Sequence, residues 1–300
     1  MNKILLLGMM FCFGIELLAS EVDSFTQRYD DIKDSRVALN ELVNKELKLA
    51  IEESPGCDHK QLYNSVHKRF STGLCWAAIE YSIESIKGID RRSISRKDSI
   101  YRDFSWWQSP PLFIAKLGDI VRVGDHLVGS DKFGHFFAQG YDYFNTACLK
   151  QKGVDAAIIE GNGTESGIFG YYTTGIYSYS DLVSNYQGMF FWIRLFASDE
   201  WCDASIPFQG QHYIECRDGQ FVQVRDFDFM EFVDAGWDEA MNCNAYWSQK
   251  MENAVEKRLQ ELQERMPELA FRCPIDQSAC DYLKIKYHDR LNDFVTPRCL

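Results

Sequence analysis

Ten cysteines in a chain of 300 residues constrain the fold of this protein more than any other feature of its sequence. Cys12 lies in an apolar N-terminal segment, and the other nine follow at positions 57, 75, 148, 202, 216, 243, 273, 280 and 299. Disulfide bonds are the expected state of cysteines in an oxidising compartment. Since nine is an odd number, at least one thiol stays free or bonds to another molecule. The cysteines cluster late in the chain, so we expect bridges to brace the C-terminal half, with Cys202–Cys216 and Cys273–Cys280 as local pairs.

Residues 1–20 predict a secretory signal peptide. Lys3 provides a positive start, an apolar run covers about residues 4–18, and the small residues Ala19 and Ser20 follow. The run is short for a membrane span and is interrupted by Glu16. A retained N-terminal anchor is the alternative. We therefore expect an exported protein, periplasmic, in the outer envelope or secreted, with no transmembrane span once the signal is cleaved.

The charge balance excludes one class of partner. Lys and Arg number 32 and Asp and Glu number 44, which gives a formal net charge of −12. Binding to nucleic-acid backbones depends on cationic side chains that replace phosphate counterions. We therefore expect no nucleic-acid partner. Apolar residues at 46% and charged residues at 25% are typical of a globular chain that buries a core.

Helical periodicity dominates the chain, so we predict a mainly α, multi-helix fold with a small β-hairpin in a disulfide-bearing C-terminal part. Two short strands flank Asp218-Gly219, a dipeptide typical of hairpin turns. A loop containing Gly161, Gly163, Gly167 and Gly170 should separate two of the helices. We expect a signal peptide (1–20), a helical domain that carries a polar site (21–200), and a cysteine-rich hairpin with helices packed on it (201–300). The predicted helices cover about residues 21–53, 61–87, 130–151, 180–197, 234–265 and 276–291.

Two polar pairs are the candidate chemical features. Asp131 and His135 lie four residues apart, a spacing that puts both side chains on one face of a helix among large aromatic residues. Lys132 lies next to the site but points about 100° away from that face, and we therefore do not predict a catalytic role for it. Asp181 and Asn185 form a second pair with the same spacing.

Further residues extend these pairs. Gly188 continues the face of Asp181 and Asn185 by one turn and would allow another helix to approach closely. Glu165 lies between the two pairs in the sequence. One imidazole, three carboxylates and one amide could thus converge between packed helices.

This set of side chains is compatible with three interpretations. It suits one divalent metal ion of unknown identity, with Asp131, His135, Glu165, Asp181 and Asn185 as ligands. Such an ion would polarise an ester, phosphoryl or amide oxygen and activate a water. Without a metal, His135 oriented by Asp131 would act as a general base, with Glu165 as the third catalytic candidate. In the structural interpretation, Asp131 and Asp181 only stabilise the first turns of their helices and the set is a polar network.

An aromatic pair and a basic connection stand apart from this site. Trp106-Trp107 precede Ser109-Pro110-Pro111. We interpret the pair as part of the core, although such pairs also stack on sugars or lie at membrane surfaces. Residues 88–99 are polar and basic. They are interpreted as a solvated loop, and contact with an anionic surface is the alternative.

The polar motifs resemble a known family. Asp131-Lys132-Phe133-Gly134-His135, a later Glu165, and then Ser178, Asp181, Asn185 and Gly188 match in order and spacing the D-K-x-x-H … E … S-x-x-D-x-x-x-N-x-x-G pattern of YfiM-like envelope lipoproteins. A shorter D-K-x-x-H also occurs in VanZ-like membrane proteins. The resemblance covers roughly residues 119–196. The chain differs in lacking a lipoprotein cysteine and in its long cysteine-bearing C-terminal part. The resemblance implies a cell-envelope location and a shared polar site, and it implies no particular reaction.

Two functional hypotheses follow. If the chain is an enzyme, metal-assisted or His-based hydrolysis of an envelope lipid or glycan is the reaction class that suits the site. The alternative is a noncatalytic envelope module that binds a partner or ligand and in which the same residues form a structural network. The sequence leaves open whether the chain is an enzyme, and it leaves its oligomeric state open.

Overall fold

The computed structural model of the protein describes residues 21–71, 77–166, 173–196, 202 and 211–300. Within these ranges the chain is mainly α-helical with small antiparallel sheets, which confirms the predicted fold class. The α-helices are α1 (Arg36–Glu52), α2 (His59–Phe70), α3 (Ala78–Ser85), α4 (Pro111–Ile114), α5 (Ser130–Gly134), α6 (Gly140–Phe144), α7 (Val154–Ser166), α8 (Tyr179–Leu195), α9 (Gln249–Arg265), α10 (Gln277–Lys286) and α11 (Leu291–Phe294).

The central helix is the continuous stretch from Ser130 to Leu149, in which α5 and α6 alternate with π-helical turns at His135–Gln139 and Asn145–Leu149. It packs along α8. A Cβ added to Gly188 of α8 would lie 1.9 Å from the Phe136 carbonyl oxygen, and one added to Gly140 would lie 2.7 Å from the Gly188 Cα. Gly188 therefore permits the close helix approach that the sequence predicts, and this approach brings the two polar pairs together.

In the described ranges, three small sheets accompany the helices. The strands β1 (Arg91–Arg92), β2 (Ile120–Val123) and β3 (His126–Gly129) form one antiparallel sheet in that order. β4 (Ile176–Tyr177) pairs with β7 (Ala245–Tyr246). β5 (Ile214–Arg217) and β6 (Gln220–Gln223) form the predicted hairpin, and Asp218 and Gly219 take positive φ angles of 51° and 77° at its turn. The first sheet was not predicted, because its strands span only two to four residues and carry no extended alternation.

Several predicted helix boundaries are wrong. Residues 21–35 are not helical, because the Asp23 side chain accepts hydrogen bonds from the backbone N–H groups of Phe25, Thr26 and Ile100 and holds this segment in turns. The predicted helix over 234–265 begins only at Gln249 as α9. Before it, short 3₁₀ turns are held by aspartate side chains that accept from nearby backbone N–H groups.

The predictions for the other segments had mixed outcomes. The predicted helix over 61–87 is found as α2 and α3, and residues 72–76 between them lie outside the described residues. Gly161 and Gly163, predicted in a loop, belong to α7. Gly167 and Gly170 lie outside the described residues. The predicted helices over 180–197 and 276–291 are found as α8 and α10.

Aromatic rings fill the core between the central helix, α8 and the segment that follows the hairpin. The Phe136 ring lies 5.5 Å from that of Phe191, 5.0 Å from that of Phe232 and 5.4 Å from that of Trp237, measured between centroids. Trp237 is fully buried. Because Trp237 is anchored against the central helix, Glu239 two residues later is brought to the beginning of that helix.

Within the described residues, four disulfides join cysteines that are 19 to 159 positions apart, and each includes at least one cysteine from Cys202 onward. Both predicted local pairs are wrong, because each of those cysteines bonds to one farther away in sequence. Cys75 lies outside the described residues. The observed bridges are Cys57–Cys216, Cys148–Cys202, Cys243–Cys273 and Cys280–Cys299. Such bridges are typical of oxidising compartments, which fits an exported protein.

The surface of the protein includes two tryptophans that the sequence predicted to be in the core. Trp106 and Trp107 are exposed, so their predicted place in the core is wrong. The prolines that follow them begin the short helix α4 at the surface. Among the described residues, no helix combines the length and the apolar character that crossing a bilayer requires.

Candidate functional site

The site begins at the first turn of the central helix. Asp131 is buried there, and its Oδ1 accepts a hydrogen bond from the Lys132 backbone N–H at 2.9 Å. Its Oδ2 accepts from the Lys132 ammonium at 2.7 Å. The long lysine side chain thus turns back toward its neighbour, so the direction of the Cβ does not decide where the charge lies. The Lys132 ammonium therefore lies inside the cluster, although its Cβ points away from it, and the absence of a catalytic role for Lys132 stays a prediction.

The Lys132 ammonium is the centre of a buried ionic cluster. Its Nζ lies 2.5 Å from Asp181 Oδ1 and 2.6 Å from Glu239 Oε1, in addition to its contact with Asp131. The side chain has no solvent exposure. Three elements therefore meet at one ammonium: the central helix, the start of α8 and the segment after Trp237.

His135 connects this cluster to α8. Its Nε2 lies 3.2 Å from Asp181 Oδ2, so the Asp181 carboxylate bridges the imidazole and the ammonium. Ser178 caps α8, because its hydroxyl accepts from the Asp181 backbone N–H at 3.2 Å. This hydrogen bond is half of the capping box that the structural interpretation expects. The Asp181 carboxylate also points into the cluster, where it contacts Lys132 and His135.

Asn185 orients the imidazole from the other side. With its amide nitrogen toward the ring, Asn185 donates to His135 Nδ1 at 3.1 Å and to the main-chain carbonyl oxygens of Asp181 and His135 at 3.2 Å. Nδ1 is then an acceptor, so the proton of the neutral ring is on Nε2 and faces Asp181. When the amide is turned over, its oxygen is 3.1 Å from Nδ1. That orientation also turns the oxygen toward the main-chain carbonyl oxygens of Asp181 and His135, so the orientation with the amide nitrogen toward the ring is the favoured one.

Glu239 is a member of the cluster that the sequence analysis did not identify. Its Oε1 accepts from Lys132 and from the Ser178 hydroxyl at 3.3 Å, and its Oε2 accepts from Asn244 Nδ2 at 2.8 Å. The signal in the sequence was the polar run from Asp238 to Asn244, in a segment predicted to be helical. Nothing in that run shows that it lies beside residue 132.

Burial and charge compete at each of these groups. Burial raises the pKa of Asp131 to about 6 and that of Glu239 to about 7, although the Lys132 charge opposes both shifts. Burial would also raise the pKa of Asp181, but the charges of His135 and Lys132 outweigh it and hold this pKa below its usual value. Burial lowers the pKa of His135 and outweighs the attraction of Asp181. The imidazole is therefore neutral at pH 7.

Two further carboxyl groups belong to the same electrostatic environment. Burial, followed by the charge of neighbouring carboxylates, raises the pKa of Glu21 and of Glu165 well above the usual value. Burial alone would lower the pKa of the Lys132 ammonium. The neighbouring carboxylates outweigh this effect and raise its pKa well above the usual value. The surroundings of the cluster therefore contain more carboxyl groups than cationic side chains, and bound protons or a cation must supply the difference.

Three of the five predicted ligands form a cluster that could hold a metal ion. Asp131, His135 and Asp181 each offer one ligand atom, and these atoms all lie within 4.8 Å of one another. Asn185 contacts His135 from outside this cluster, in the position of a group that orients a ligand. Glu165 is buried near the cluster and is not one of its three members.

Glu165 and Asn185 line a cavity of about 330 Å³ beside the cluster. Gln139 and Tyr143 of the central helix line the same cavity, and within the described chain Gln139 Oε1 and Tyr143 Oη are buried without a hydrogen-bond partner. Buried polar atoms are normally hydrogen-bonded, so exceptions call for a partner such as water or a ligand. The cavity has a size typical of small-ligand pockets, and one of its lining residues, Asn185, contacts His135.

Comparison of the chain with protein-family models, with curated proteins and with solved structures finds no match. The function must therefore be argued from the geometry of the site itself.

Proposed function

We propose that this protein is an exported hydrolase of the cell envelope, and that Asp131, His135 and Asp181 hold one divalent cation at its centre. The observation that carries this proposal is the convergence of these three side chains, with ligand atoms within 4.8 Å of one another, in buried surroundings where carboxyl groups outnumber cationic side chains. Oxygen ligands with one imidazole suit several divalent cations. The fold alone does not imply a reaction.

The neighbouring residues support a metal-ligand role for His135. A ligating imidazole uses one nitrogen for the ion and donates its remaining N–H to an orienting group. Binding of a cation at Nε2 would require Asn185 to turn its amide oxygen toward Nδ1, 3.1 Å away, where it would accept that N–H. Nε2, on the side of Asp181, is then the nitrogen that faces the cation. Lys132 compensates part of the carboxylate charge and fixes the positions of Asp131 and Asp181.

A metal-free mechanism with His135 as the general base is less well supported. Both ring nitrogens are already engaged, Nε2 by Asp181 at 3.2 Å and Nδ1 by Asn185 at 3.1 Å. A general base needs a free nitrogen within hydrogen-bond reach of the water it deprotonates. A bound divalent cation would instead lower the pKa of a water ligand and polarise the oxygen of the scissile group.

The cavity beside the cluster provides the place for substrate. Glu165 lines it, and burial raises the pKa of its carboxyl group well above the usual value, which favours the protonated form that would donate a proton to a leaving group. Gln139 and Tyr143 offer polar atoms that would hydrogen-bond the substrate. The predicted export and the envelope resemblance make an envelope lipid or glycan the proposed substrate class.

The test combines metal analysis with turnover. We expect the purified protein, after equilibration with divalent cations and desalting, to retain about one equivalent of metal and Asp131→Ala/His135→Ala to retain none. The matched control is His288→Ala/Asp289→Ala, which removes an exposed pair with a 3.0 Å contact and should leave the metal content unchanged. Equal, negligible metal in the wild type and the Asp131/His135 variant would overturn the metal proposal.

One observation favours a second candidate function, a noncatalytic module with a structural polar network. The Lys132 ammonium already compensates Asp131, Asp181 and Glu239 in one place. His135→Ala separates the two candidates. Loss of ester or glycoside hydrolysis with an unchanged circular dichroism spectrum supports the hydrolase. Unchanged function with a lower melting temperature supports the structural network.

A further inference from the structure

Five large apolar side chains form an exposed aromatic patch on the protein. Their exposed fractions are 89% for Trp107, 62% for Ile114, 57% for Trp247, 42% for Trp106 and 36% for Phe113. Single exposed apolar residues are ordinary, but a group of large ones on a soluble protein marks an interaction surface. The proposed hydrolase does not use any of them.

The patch is assembled from two segments that meet at Gly175. The Gly175 carbonyl oxygen accepts a hydrogen bond from the Trp247 backbone N–H at 2.9 Å. A Cβ added to Gly175 would lie 2.9 Å from the carbonyl oxygen of Gln108, the residue after Trp107. Within the first segment, the rings of Trp106 and Phe113 are 5.6 Å apart. The two segments that carry the tryptophans therefore approach each other at Gly175.

Cationic side chains border this patch. The Arg96 guanidinium lies 4.1 Å above the Phe113 ring and donates to the Arg102 carbonyl oxygen at 3.1 Å. Both partners are neutral, so the guanidinium charge remains available to an anion. Lys97 is exposed next to it in the sequence. In a chain with a formal net charge of −12, cations at the edge of an aromatic patch are complementary to an anionic surface.

We propose that the aromatic patch docks this protein on the surface of a bilayer that contains anionic phospholipid. Tryptophan rings are favoured at the headgroup level of membranes, aliphatic side chains such as Ile114 enter the acyl boundary, and Arg or Lys attract anionic headgroups. A glycan site would combine ring faces with polar side chains that bind hydroxyl groups, whereas Phe113 and Ile114 are apolar throughout. The composition of the patch therefore favours lipid.

The position of the patch connects it to the candidate site. Gly175 is followed by β4 and then by Ser178, which caps α8 three residues before Asp181. Docking through this patch would bring the bilayer to the side of the molecule from which α8 begins. Docking on a bilayer would narrow the substrate class to a membrane lipid, and this part of the inference rests on the proposed function. Bilayer docking by itself does not require hydrolysis.

Vesicle sedimentation of the full, disulfide-bonded protein tests the proposal. We compare vesicles of phosphatidylcholine with vesicles that also contain phosphatidylglycerol. The wild type should bind the anionic vesicles, and Trp107→Ser/Ile114→Ser should lower the partition coefficient by about tenfold or more. Arg96→Gln/Lys97→Gln should lower binding to anionic vesicles and reduce its dependence on salt. The matched control is Ile285→Ser on α10, a side chain with 77% exposure away from the patch, which should bind as the wild type does.

Several outcomes would overturn the proposal. The first is equal vesicle binding by the wild type and the Trp107/Ile114 variant. The second is a loss of vesicle binding in Ile285→Ser that equals the loss in that variant. The third is that the wild type binds neither kind of vesicle. Sedimentation with peptidoglycan in place of vesicles, lost in the Trp107/Ile114 variant, would assign the patch to a glycan. Self-association lost in the same variant would assign it to a second copy. His135→Ala should keep vesicle binding, so a failure of the hydrolase proposal is distinguishable from a failure of docking.

Discussion

Replacing Lys132 with methionine removes the ammonium at the centre of the buried cluster while keeping most of the length of the side chain. The lysine has no solvent exposure and contacts Asp131, Asp181 and Glu239 at 2.7, 2.5 and 2.6 Å. Removing one partner of a buried ion pair leaves an uncompensated buried charge and costs about 3–5 kcal/mol of unfolding free energy. Because three carboxylates lose the same cation, we expect Lys132→Met to lie at the upper end of this range at pH 8.

The loss of unfolding free energy in Lys132→Met should increase as the pH rises. The pKa of Asp131 is raised to about 6 and that of Glu239 to about 7, so the folded protein binds more protons than the unfolded chain at mildly acidic pH. The contribution of these two groups to the unfolding free energy is therefore present at low pH and is lost as the pH rises through about 6 and 7. Without Lys132 these carboxyls hold protons more tightly. The difference between variant and wild type should be larger at pH 8 than at pH 5.

Urea denaturation at pH 5 and pH 8, with the disulfides intact, measures both quantities. Lys116→Met is the matched control, because Lys116 also forms an ion pair, at 2.7 Å with Glu84, but its side chain is 67% exposed. Exposed pairs contribute about 0–1 kcal/mol. If Lys132→Met lowers the unfolding free energy at pH 8 no more than Lys116→Met does, the cluster does not have the energetic role described here. A variant that folds only at pH 5 would agree with it.

Two further stability predictions follow from the packing and the covalent links. Gly188→Ala should lower the unfolding free energy by about 2–3 kcal/mol or more, because its Cβ would meet the Phe136 carbonyl oxygen at 1.9 Å. Gly163→Ala on α7 is the control: its Cβ would have nothing within 4 Å, so it should raise the unfolding free energy by about 0.5–1 kcal/mol. Urea denaturation in which both variants behave alike would contradict the close helix crossing. Cys57→Ser/Cys216→Ser opens a bridge between residues separated by 159 positions and should cost about 2–5 kcal/mol in the same assay. A change below about 1 kcal/mol would show that this bridge does not stabilise the fold.

Local features were predictable because their causes lie within a few residues of sequence. The hairpin follows from Asp218 and Gly219, which adopt the positive φ angles that its turn requires. The shared face of Asp131 and His135 follows from helical spacing, and the close approach at Gly188 follows from the missing side chain. Where an aspartate side chain competed for backbone N–H groups, as Asp23 does, periodicity alone predicted a helix that is not there.

The exposure of Trp106 and Trp107 could not be derived from their residue type or from the sequence around them. Aromatic pairs occur both in cores and on surfaces, and hydrophobicity alone favoured the core. The observed exposure depends on which other segments cover a given surface, and in the described part of the chain Trp106 and Trp107 stay 42% and 89% exposed. The disulfide pairing depends on tertiary structure in the same way. Cys202 and Cys216 are close in sequence, but they bond to different partners.

The sequence by itself determined a mainly helical, cysteine-bridged chain and the residue types of its polar site. Only the tertiary structure decided that Lys132 is the centre of that site and that Glu239, 107 residues later, completes it. The physical reason is that helical periodicity specifies the direction of a Cβ, whereas a long side chain can bring its charge back to a neighbour. The final position of the ammonium is set by carboxylates that the packing of Trp237 and the crossing at Gly188 bring together.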